Sequence, residues 1–139
     1  MKKLTLIILL SIFSVGFASA GMKGTLEKFC KEFNKISAKD SSVPFTCYVI
    51  GDDVLVYQAN KGSDFSKEIL SHEIGVDRYN MVYNFFVQVF SNPANKPLIQ
   101  KMAYEGCYLE MIIPIPGNID TFWGCKIYCS SLYDDIKRR

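Results

Sequence analysis

The sequence predicts a single small α+β domain in which an antiparallel sheet, built from two β-hairpins, is covered by helices and stapled by disulfides. Three observations lead there. The chain has 139 residues, 49% of them hydrophobic and 22% charged, which is one domain's length and a folding composition. Two pairs of strand-type runs, each pair around a turn-type segment, bracket a central stretch with helical periodicity. All five cysteines fall after a segment that reads as a secretory address, so they belong to a compartment where disulfides persist.

The address is legible in detail. Met1-Lys2-Lys3 is a short basic start, Leu4 to Val15 is an apolar run broken only by Thr5, Ser11 and Ser14, and Ala18-Ser19-Ala20 supplies a small-residue cleavage site before Gly21. Residues 1–20 therefore read as a bacterial secretory signal peptide and residues 21–139 as one periplasmic or secreted domain. The alternative is an uncleaved run retained as an anchor, although it is shorter than the ~20 residues that cross a bilayer. Setting Lys2 and Lys3 aside from the 16 basic residues leaves the remainder equal to the 14 acids, so the domain is neutral. A neutral domain lacks the electrostatic footprint for phosphate backbones, which argues against nucleic acid as a partner.

Along the domain, Leu26, Phe29, Cys30, Phe33 and Ile36 recur at helical spacing over Thr25 to Ser37, with Lys and Glu on the other face. Phe45 to Ile50 and Val54 to Ala59 flank Gly51-Asp52-Asp53 as a hairpin. Asp64 to Ser71 reads as a short helix, and Asp77 as the N-cap of a longer one reaching Ser91. On that helix only Asn80, Asn84, Gln88 and Ser91 make a narrow polar stripe, which suits a central element touching a sheet and other helices. A last short helix covers Pro97 to Glu105 and ends at Gly106. Cys107 to Ile113 and Thr121 to Cys129 form the second hairpin around Pro114-Ile115-Pro116-Gly117-Asn118, and Ser130 or Ser131 starts a final turn before the basic tip Lys137-Arg138-Arg139.

The hairpins suggest a disulfide scheme. Centring the second one on Pro116 puts Cys107 opposite Cys125, Leu109 opposite Trp123, and Tyr108 across the bare backbone of Gly124. Cys30 on the first helix and Cys47 on the first strand make the other pair, each bridge contributing about 3 kcal/mol. Cys129 is then the odd thiol, with three readings open: a buried free cysteine, a replacement for Cys125 as the partner of Cys107, or a link to a second chain that makes a dimer.

Catalytic and metal chemistry find little support. The lone His72 has no Ser or Cys nucleophile context, the C-x3-C spacing of Cys125 and Cys129 matches neither a zinc knuckle nor a redox motif, and no phosphate loop is present. The acid pairs Asp52-Asp53 and Asp134-Asp135 read as solvated turn and terminal residues. No enzyme activity, cofactor or metal is expected. Binding is what remains, because 8 Tyr, 10 Phe and 1 Trp exceed what a small domain hides. Tyr48, Tyr57 and Tyr133 are candidates for exposure. The favoured site is the face of the second hairpin turned away from the helices, carrying Tyr108, Glu110, Ile112, Phe122, Lys126 and Tyr128, with Tyr108, Ile112, Phe122, Lys126 and Tyr128 as the partner-binding residues. Its alternative is a second covering layer on the same face.

The chain length, the secretory start and the two late cysteines Cys107 and Cys125 resemble the TcpH-like periplasmic companions of ToxR-type membrane-bound transcription activators. Cys30, Cys47 and Cys129 fall outside the two-cysteine pattern of that family. The resemblance implies a non-enzymatic companion that binds an activator's periplasmic domain and shields it from proteolysis, with a disulfide keeping the companion folded. The expected partner is another envelope protein, with membrane contact only through that partner or an uncleaved signal. The alternative function is a secreted inhibitor or immunity protein that blocks a lytic enzyme or toxin with the loop Pro114 to Asn118.

Overall fold

The computed structural model describes residues 22–117 and 119–139, so the signal-type segment and Asn118 lie outside the described residues. Helix α1 (Lys23–Lys39) forms where Leu26, Phe29, Cys30 and Phe33 fall on one stripe, and that stripe is buried. Strands β1 (Phe45–Ile50) and β2 (Val54–Ala59) occupy the predicted residues and pair antiparallel from Phe45↔Ala59 to Ile50↔Val54. Gly51 sits in the turn between them at φ 62°, a conformation that favours glycine. Helix α2 (Asp64–Ser71) is capped by Ser63, whose Oγ accepts the Ser66 N–H at 3.2 Å.

Helix α3 (Val76–Ser91) begins at Gly75, not at the expected cap Asp77. Gly75 turns the chain at φ 107°, which leaves Asp77 inside the first turn, where a negative charge complements the helix dipole. Helix α4 (Lys96–Tyr104) ends as expected at Gly106: at φ 72° it lets the Cys107 N–H reach Met102 O at 2.9 Å and its own N–H reach Ala103 O at 3.3 Å. Strands β3 (Tyr108–Pro114) and β4 (Phe122–Tyr128) follow, and the expected final turn is a full helix, α5 (Cys129–Arg138). Cys129, Leu132 and Ile136 give α5 an apolar stripe at helical spacing, which carries it well past one turn.

The sheet has the order β1-β2-β3-β4 and is mixed, not purely antiparallel. Each hairpin pairs antiparallel, but β2 and β3 run parallel from Val54↔Tyr108 to Gln58↔Ile112. The connection between them contains α2, α3 and α4, and a helical crossover of that length returns the chain to the end where β2 began.

The second hairpin also differs from the expected register. Cys125 lies opposite Met111, Gly124 opposite Ile112 and Trp123 opposite Ile113. A longer loop, closed by the Ile115 N–H to Thr121 O bond at 2.9 Å, moves β4 by four residues relative to β3. An even slip leaves every side chain on its original face. The predicted faces therefore hold while the predicted partners do not.

The core lies between the sheet's inner face and the helices. Val82, Phe85, Phe86, Val87, Val89 and Phe90 of α3 are buried, as expected of a central helix. Tyr57 is the centre of an aromatic cluster, with ring centroids 5.3 Å from Phe86, 5.5 Å from Phe33 and 5.8 Å from Phe45. At 1% exposure it is a packing residue, which corrects its reading as a surface tyrosine. Among the described residues no helix is long and apolar enough to cross a membrane.

The disulfide scheme needs correction as well. All five cysteines are free thiols, and neither Cys30 with Cys47 nor Cys107 with Cys125 is bonded. The register shift replaces Cys125 with Cys129 as the neighbour of Cys107, and the Cys129 N–H donates to Cys107 O at 3.1 Å. Cys129 is fully buried, which sets it apart from the surface thiol that a link to a second chain would need.

Candidate functional site

Helices cover one face of the sheet, and among the described residues the other face is bare. Alternation along the strands sends Thr46, Tyr48 and Ile50 of β1, Val54, Val56 and Gln58 of β2, Tyr108, Glu110 and Ile112 of β3, and Phe122, Gly124, Lys126 and Tyr128 of β4 to that side. The registers align them into rows across all four strands. Tyr48, Val56, Glu110 and Lys126 make one row, and Ile50, Val54, Tyr108 and Tyr128 make the next.

This face has its own small core. Val54, Val56 and Ile112 form a buried cluster there, with Tyr48 packed against it. Ile112 at 9% exposure is thus part of the floor of this face and not of its rim. Phe122 (58% exposed), Tyr128 (45%) and Tyr108 (37%) form the accessible rim, and Lys126 is exposed between them. The rings of Tyr108 and Tyr128 lie 5.2 Å apart, and Lys126 Nζ stands 5.9 Å from the Tyr108 ring centroid. Burial, then the charge of Glu110, raises the hydroxyl pKa of Tyr48. The structure therefore brings Tyr108, Lys126 and Tyr128 together as expected, places Phe122 on the same face at the far end of β4 opposite Pro114, and leaves Tyr133 half-buried on α5.

Sequence reasoning missed an apolar groove along the inner side of β4. Ile74, Gly75, Val76, Tyr79, Trp123, Gly124 and Cys125 line a depression of ≈ 480 Å³. Ile74, Val76 and Tyr79 are exposed there, Arg78 stacks over Trp123 at 5.7 Å, and Cys125 is half-buried. The available signal was the pair Ile74 and Val76, apolar residues placed between two predicted helices and belonging to neither. A second cleft of ≈ 620 Å³ between α4 and α5 is lined by Pro97, Gln100, Lys101, Ala103, Tyr104, Ser130 and Tyr133. Its lysine is paired with Glu105 at 3.2 Å.

His72 is exposed at the end of α2, where its backbone carbonyl accepts Arg78 Nε at 2.8 Å. Among the described residues no three His, Cys, Asp or Glu side chains converge as metal ligands. Burial is the largest effect on every cysteine: it pushes Cys30 up to about 12 and Cys107 and Cys125 up to about 11, with nearby acids adding to the shift. Such thiols stay protonated at neutral pH and are poor nucleophiles. No family model, curated protein or solved structure matches the chain.

Proposed function

We propose that the protein is a non-enzymatic periplasmic binding protein that stabilises, protects or regulates another envelope protein held on the open sheet face. One observation supports this best: an antiparallel edge pair with a solvated face usually turns polar side chains outward, yet here Tyr108, Phe122 and Tyr128 rim an apolar floor. Tyrosines and phenylalanines around a lysine are the composition of a protein contact, giving large area at small entropy cost. The resemblance to TcpH-like companions points to a membrane-bound transcription activator as the partner class.

The test is crosslinking of the tagged protein in intact cells, followed by mass spectrometry of what co-purifies. Recovery of a membrane regulator or another resident envelope protein supports the proposal. Recovery of a hydrolase or toxin favours the second reading, a secreted inhibitor. That reading has one observation behind it, the 88% exposure of Ile119 at the β3–β4 loop beside Asp120 at φ 59°.

A further inference from the structure

The two edges of the sheet are treated differently. At the β1 edge, Asn34 of α1 bonds both backbone groups of Cys47, donating from Nδ2 to O and accepting the N–H at Oδ1, each at 2.8 Å. That side chain imitates a neighbouring strand and blocks another from docking. At β4, the Cys129-to-Cys107 and Ile115-to-Thr121 bonds fix the alternation of the ladder, so Trp123, Cys125 and Ile127 turn their backbone groups toward β3. The N–H and C=O groups of Phe122, Gly124 and Lys126 consequently point off the sheet. Exposed apolar side chains flank this open edge on both sides, with Ile74, Val76 and Tyr79 below it and Phe122 and Tyr128 above.

We propose that β4 pairs antiparallel with β4 of a second copy of the chain, about a two-fold axis at Cys125, joining two four-stranded sheets into one of eight. Only this class of register lets the outward backbone groups bond each other and keeps like faces together. Centred on Cys125, it sets Gly124 against Lys126 of the second copy and Phe122 against Tyr128. Aromatic thus meets aromatic, and each lysine meets a glycine while keeping Glu110 of its own β3 beside it. The grooves lined by Ile74, Val76 and Tyr79 then face each other across the axis. The two Cys125 residues fall on a non-hydrogen-bonded pair, whose Cα separation of about 4.5 Å lies within the range a disulfide spans.

The odd cysteine count fits the same arrangement. Cys107 neighbours Cys129 inside the fold, and Cys30 and Cys47 are both buried, with Cys30 close enough to raise the Cys47 thiol. Cys125 is left over and is the one cysteine that is not fully buried. This inference goes beyond partner binding and does not depend on it, because the pairing engages β4 and leaves Tyr108 of β3 accessible.

The test uses the full chain, purified in reducing buffer and analysed by sedimentation from 1 to 200 µM, then treated with oxidised glutathione. Two Cys125 thiols give up two protons and two electrons, one S–S bond forms, and one glutathione disulfide becomes two thiols. The expected result is a dimer whose non-reducing peptide map contains Cys125 joined to Cys125. Cys125→Ser should abolish the covalent link and keep the dimer. Lys126→Pro removes an N–H that makes no bond to β3 and should weaken dimerisation at least tenfold. Should that variant misfold, amide exchange in the unmodified protein decides, since Gly124 and Lys126 amides are protected only in the dimer. A monomer at 200 µM with freely exchanging Gly124 and Lys126 amides overturns the proposal, as does a dimer linked through another cysteine. Failure here leaves crosslinking from Tyr108 unaffected, which separates it from failure of the partner-binding reading.

Discussion

Asn34 stands in for a strand beside Cys47. Its amide takes both backbone groups of Cys47 at 2.8 Å, thirteen residues away in sequence, and ties α1 to the sheet at the point where the sheet would otherwise end in unpaired groups. Asn34→Ala leaves a donor and an acceptor of a buried residue without partners, a loss of about 1–3 kcal/mol. The variant should show a lower urea midpoint with an unchanged slope.

Gly124 sits in close packing between strands. A Cβ at this position would stand 3.0 Å from Met111 O, a backbone atom that cannot swing aside. Gly124→Val should therefore destabilise the fold by about 1–3 kcal/mol, more than its gain in strand propensity returns. Thermal unfolding followed by the near-ultraviolet signal of Trp123 measures it.

In reducing buffer the thiols should make the fold sensitive to high pH. Burial raises Cys30 to about 12 and Cys107 and Cys125 to about 11 from an ordinary value of 9.0, while an unfolded thiol ionises near that ordinary value. Raised folded-state values mean that this contribution is fully present below pH 9 and is lost as pH rises through 11 to 12. Urea midpoints at fixed ionic strength should fall above pH 9, and the Cys125→Ser variant should fall less.

Alkylation at pH 8 gives a separate check on burial. Iodoacetamide should modify Cys125 first, with Cys47, Cys107 and Cys129 reacting only on unfolding. Mass spectrometry of a time course reads the order.

Much of the architecture was legible because local chemistry and periodicity agreed. β1 and β2 carry strand residues on both sides of a glycine turn, Ser63 caps α2, and Gly106 ends α4. The faces of β3 and β4 followed from alternation alone, so Tyr108, Phe122, Lys126 and Tyr128 could be grouped without knowing their partners. Register was not legible, because Pro114 to Asn118 looks like a tight turn while the loop continues to Thr121. That error placed Cys107 opposite Cys125 instead of Cys129. The parallel pairing of β2 with β3 depends on how three helices cross over the sheet, which no short window of sequence encodes. Tyr57 was misplaced because its register partner is Cys47, which turns it to the helix-covered face opposite to Tyr48, and the depth of Ile112 was not legible because strand alternation assigns a face but not what surrounds it.

The most direct test of partner binding is a photo-crosslinking amino acid placed at Tyr108, inside the open face and away from the β4 edge, compared with one at Tyr104, 86% exposed at the end of α4. Illumination of intact cells should join an envelope protein to position 108 and not to position 104. Capture from position 104 alone, or none from position 108 in a folded protein, would contradict the assignment of the sheet face as the binding surface.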